Sequence, residues 1–91
     1  MKGVHEEQVA ERLLAVVAPG DEVITGWIRA GESIPAVVTL IEMAAQNCKP
    51  IPDELRAAVQ ALVDEDTFDT DERREVVEDL ATLANLAPSR T

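Results

Sequence analysis

Apolar residues recur along this chain at helical spacing. Val9, Leu13, Val16 and Val17 stand at i, i+4, i+7 and i+8, one face of a helix from about His5 to Ala18. Glu6, Glu7 and Glu11 fall elsewhere on it, and the first two suit the positive end of its dipole. Pro19-Gly20 stops it. A short second helix, about Asp21 to Ala30, has Asp21 as N-cap and an apolar stripe of Val23, Ile24, Trp27 and Ile28. Gly26 weakens it and Gly31 ends it.

The third segment, about Ser33 to Asn47, is apolar on most sides, interrupted only by Thr39, Glu42 and Gln46. That pattern predicts a central, buried helix. Ser33 reads as its N-cap, and Pro35 is tolerated in a first turn that has no internal N–H bonds to lose. Val37 and Val38 would suit a strand, but the run is too long and too rich in alanine for one. Lys49-Pro50-Ile51-Pro52 predicts an extended connector. A fourth helix follows from about Pro52 to Val63, with Leu55, Val59, Leu62 and Val63 inward.

After a loop from Asp64 to Phe68, Asp69 and Glu72 form a capping-box pattern that opens a fifth helix to about Leu86. Val76, Val77, Leu80, Leu83 and Ala84 are expected inward on it. Asp71, Arg73, Arg74, Glu75, Glu78 and Asp79 are expected outward. The fold expected is all-α, a compact bundle of four to five short helices around the helix at about 33–47. Residues 1–91 form a single domain, with frayed ends at about 1–4 and 87–91.

Composition sharpens this picture. The hydrophobic residues are almost all Ala, Val, Leu and Ile, with one Phe, one Trp and no Tyr. Small aliphatic side chains suit close helix packing. The single cysteine, Cys48, excludes an internal disulfide and reads as a small residue near a helix end. The first residues carry acids where a signal peptide has a basic region, and no run is long enough to span a bilayer, so a cytoplasmic protein is expected.

Charge is the least even property of the chain. Of a net −10, the stretch from Asp64 to Asp79 carries −7, with nine acids against two arginines. Eight scattered Lys and Arg argue against direct nucleic-acid binding and against an anionic membrane surface.

Tests for chemistry mostly exclude. Cys48 has one histidine as a conceivable base, His5, far off near the terminus, and no nucleophile elbow occurs. Zinc lacks paired His or Cys ligands. An EF-hand register starting at Asp64 places Asp66 and Glu75 well. It fails at Phe68, which has no side-chain oxygen, and at Asp69, where the turn needs glycine. No cofactor or metal is expected. Glu42 stands at a solvent edge of its helix or pairs with Arg29 or Arg56. Trp27 fills the core or anchors a partner.

Gly31-Glu32-Ser33-Ile34 resembles the Gly-Asp-Ser-Leu motif of acyl and peptidyl carrier proteins, and Ile51-Pro52-Asp53 is similar to the segment that often follows it there. Glu32 and Pro35 depart from the family pattern. The resemblance implies Ser33 as a phosphopantetheine attachment site; a plain N-cap serine also accounts for it. The leading expectation is a non-enzymatic interaction module, such as an adaptor, inhibitor, immunity or antitoxin-type protein. It would offer Asp71, Glu72, Glu75, Glu78, Asp79 and Trp27 to a basic partner surface. A carrier protein and an inhibitor that mimics nucleic acid are the alternatives. Nothing in the residues sets an oligomeric state.

Overall fold

The computed structural model describes residues 2–86, with side chains from Glu6 onward. Met1 and residues 87–91, parts of the expected frayed ends, lie outside the described residues, as do the side chains of residues 2–5, His5 included. Five helices run in order: α1 (Lys2–Val17), α2 (Glu22–Arg29), α3 (Ser33–Gln46), α4 (Asp53–Asp64) and α5 (Thr70–Leu86). There is no strand among the described residues. The radius of gyration is 12.2 Å, about the value expected for one compact body of this length.

The expected central helix is central. α3 packs against α1, α2 and α5, most extensively against α1 and α5. Its inner face is Ala36, Val37, Leu40, Ile41 and Ala44, all fully buried. α4 closes the bundle from the far side, touching α1 and α5. Val9 and Leu13 of α1, Ile24 and Ile28 of α2, all four predicted residues of α4, and Val76, Leu80 and Leu83 of α5 join one continuous core. Two residues outside any helix join it as well, Ile51 of the connector and Phe68 of the α4–α5 loop.

Several inward assignments are corrected. Val23 is 65% exposed and Val77 44% exposed, and Ala84 is exposed; Val16 and Val17 of α1 are half-buried and pack against the core. The reason is geometric. One residue along a helix is a rotation of about 100°. Val76, Leu80 and Leu83 at i, i+4 and i+7 already fill the covered stripe of α5. Val77 and Ala84 therefore fall on the next stripe. α2 packs mainly against α1 and α3, so Ile24 and Ile28 fill its inner face and leave Val23 outside.

Capping agrees with the sequence except at one corner. The Asp21 carboxylate accepts the Ile24 N–H at 3.0 Å. Asp69 and Glu72 form the expected reciprocal box, with Glu72 N–H donating to Asp69 at 2.8 Å and Asp69 N–H donating to Glu72 at 3.1 Å. Pro52, expected as the first residue of α4, is its cap. Ser33 is not a cap. It is the first residue of α3, and Glu32 holds the cap position without a side-chain hydrogen bond. The tight α2–α3 corner explains this. Gly31 takes φ +87°, its N–H donates to the Ile28 carbonyl at 3.1 Å, and Glu32 N–H donates to the Trp27 carbonyl at 2.8 Å. This paired closure of α2 leaves Glu32 alone between the helices.

The same closure ends α3 and α4, with residues other than glycine in the left-handed position. Cys48 has φ 54° and Asp66 φ 61°. Cys48 N–H reaches the Ala45 carbonyl and Lys49 N–H the Ala44 carbonyl. Asp66 N–H reaches Val63 and Thr67 N–H reaches Leu62. The left-handed conformation costs an L-residue about 1–2 kcal/mol.

Leu40→Ala should cost about 2–5 kcal/mol in urea unfolding, whereas Val23→Ala should stay within about 0.5 kcal/mol; equal losses would contradict the packing described. Cys48→Gly should raise stability by about 0.5–1 kcal/mol, the relief of left-handed strain exceeding glycine's added entropy in the unfolded chain. A fall would mean that the exposed Cys48 side chain makes a compensating contact.

Candidate functional site

α5 has two unlike flanks. The flank toward α3 carries carboxylates. Glu42 of α3 is exposed, as expected for a solvent edge, and accepts a hydrogen bond from Gln46 at 3.4 Å. It pairs with neither Arg29 nor Arg56; Arg56 is bound to Asp53 instead. Packing of α3 on α5 brings Glu42 into the field of Asp79. Asp79 is half-buried rather than fully outward. Burial, and then the nearby charges of Glu42, Glu75 and Glu78, hold its carboxyl above the ordinary value of 3.8.

Three ion pairs form among the described residues: Arg12–Glu54 at 3.3 Å, Arg56–Asp53, and Arg73–Asp66 at 3.5 Å. None involves Glu42, Asp71, Glu72, Glu75, Glu78 or Asp79. The structure thus brings Glu75, Glu78 and Asp79 together with Glu42, a residue the expected acidic surface did not include. Asp71 and Glu72 lie toward the N-terminal end of the same helix, and Glu72 is engaged in the cap.

The other flank faces α4. Asp53, Arg56, Ala57 and Gln60 of α4, with Val77, Leu80, Ala81 and Ala84 of α5, line an open trough of about 470 Å³. The Arg56 side chain is only 20% exposed, and its Nε is buried without a hydrogen-bond partner. Another open hollow, of about 500 Å³, lies over Gly20, Glu22, Thr25, Gly26 and Arg29, at the start and along one side of α2.

The remaining candidates separate. Trp27 is half-buried and packs against the core, between the two roles expected of it. It lies on α2, apart from the acids of α5. Ser33 is 6% exposed. A serine that carries a phosphopantetheine arm must present its hydroxyl to a transferase, and this burial opposes that role. Phe68, position five of the EF-hand register, is buried in the core. Among the described residues, no group of three or more His, Cys, Asp or Glu stands where it could hold a metal ion, and no helix is long and apolar enough to cross a membrane.

No protein family, characterised protein or solved structure matches this chain.

The raised Asp79 carboxyl carries a signed consequence. The folded chain binds its proton more tightly than the unfolded chain does. The resulting penalty is full above the folded pKa and absent below 3.8, so this group's contribution rises as pH falls through that window. Asp79→Asn should therefore raise Tm at pH 7, and the gain should vanish toward about pH 3.5. A gain of equal size at both pH values would assign the effect to packing rather than charge.

Proposed function

We propose that this chain is a non-enzymatic binding module whose acidic face docks a basic surface on a partner protein. Asp71, Glu72, Glu75, Glu78 and Asp79 form that face together with Glu42. The observation that carries the reading is the seam between α3 and α5, where Glu42 and Asp79 stand near Glu75 and Glu78 without an ion pair among the described residues. An acidic face kept only for solubility would be spread over solvated positions. Here one carboxylate is partly desolvated beside others, an arrangement that costs folding free energy and that a lysine or arginine from outside would relieve. Such a face also speeds and orients encounter with a cationic partner.

The test compares wild type with a variant carrying Glu42→Gln, Glu75→Gln, Glu78→Gln and Asp79→Asn in capture from the source organism's lysate. A stoichiometric partner with a basic surface should be held by wild type, be lost by the variant, and be released as salt rises from about 50 to about 500 mM. A partner held equally by both would move the site off the seam, toward α2 and Trp27.

A further inference from the structure

We propose that the trough between α4 and α5 receives a basic amphipathic helix from the partner protein. This rests on the acidic-face reading and gives the partner its form. The trough floor is apolar: Ala57 on one side, Val77, Leu80, Ala81 and Ala84 on the other. Val77 is one of only two large hydrophobic residues left exposed among the described residues. Three of the five floor residues are alanines. Small side chains at a contact allow helix axes to approach near the lower end of the usual separation of about 8–10 Å.

Length fits as well. From Asp53 to Gln60 on α4, and from Val77 to Ala84 on α5, the floor runs two helical turns, about 10 Å. An amphipathic helix lays its i, i+3, i+4 and i+7 residues over that span.

Charge selects the occupant. α4 and α5, which build both walls, hold eight acids and three arginines. Asp53 and Glu54 are paired with Arg56 and Arg12, and Arg73 with Asp66, which leaves six acids against Arg74 on the two helices. A second copy of this chain, at net −10, would bring like charge to like charge. An acidic helix would do the same. A helix with an apolar stripe flanked by Lys or Arg would set its stripe on the floor and its cations against Glu75 and Glu78 along the exposed ridge of α5.

The probes are three synthetic peptides of about 18 residues, five helical turns: one with Leu and Ala at i, i+3, i+4 and i+7 and Lys elsewhere, a scramble of it with no apolar stripe, and a version with Glu in place of Lys. Binding to the whole protein is measured by calorimetry at about 150 mM salt, with circular dichroism to confirm the fold of each variant. The basic amphipathic peptide should bind at least tenfold more tightly than its scramble. Ala81→Trp, which fills the trough without changing charge, should weaken it at least tenfold and leave the scramble unaffected. Equal binding of peptide and scramble would overturn the trough proposal and leave the acidic-face reading standing. No binding of either basic peptide would overturn both. Preference for the Glu peptide, or self-association that Ala81→Trp abolishes, would overturn the choice of occupant.

Discussion

Burial of one face of α3 is the condition on which the rest of the bundle depends. Ala36, Val37, Leu40, Ile41 and Ala44 are all sequestered, and α1 and α5 lie against them. The face has an alanine at each end, Val37, Leu40 and Ile41 between, and no aromatic ring. Close approach on both sides is therefore possible, and a helix of only fourteen residues can carry two long neighbours. Each large side chain of that face, once covered, contributes about 1.5–3 kcal/mol. No short helix here would persist alone in water. α2 and α4 are held because α1, α3 and α5 give their apolar stripes a surface to cover.

The corners show how that burial overrides local preference. Gly31 closes α2 at no steric cost. Cys48 and Asp66 adopt the same left-handed turn at about 1–2 kcal/mol each. A buried side chain just downstream of each turn offsets that cost. Ile51 lies three residues beyond Cys48 and Phe68 two beyond Asp66, and both are buried. Burial of either side chain contributes about 1.5–3 kcal/mol, the same order as the turn's cost. The chain therefore bends where the core needs it, with or without glycine.

The same override explains which parts of the structure are legible in the sequence. Five helices, the capping box at Asp69, the Asp21 cap and the central place of α3 are legible, because each depends on residues close in sequence. The left-handed turns at Cys48 and Asp66 are not, because nothing in the local sequence marks them as glycine does at Gly31. Periodicity assigns Val77 and Ala84 inward because it counts apolar residues and not the neighbours available to cover them. The acids of α5 are legible as charge. Glu42 beside Asp79, and the trough beside Ala57, are not, since each requires two helices to meet. Ser33 shows the opposite error: a local motif points to a capping or carrier serine, and the tight corner at Gly31 draws the residue into the helix and buries it.

The two flanks of α5 relate differently to stability. The α4 flank leaves apolar surface uncovered, which forgoes a gain. The α3 flank places Glu42 near a partly desolvated Asp79, which incurs a cost. A partner helix as proposed would cover the first with its apolar side, and the partner's basic surface would offset the second. Under the proposed reading, binding and protonation then compete. A cation beside Asp79 favours its carboxylate, so the bound state releases the proton that the free state holds more tightly. Affinity would decline as pH falls through that pKa, while the stability of the free domain would gain from the same titration. Opposite signs from one group distinguish a face built to be neutralised from outside from one that only keeps the chain in solution.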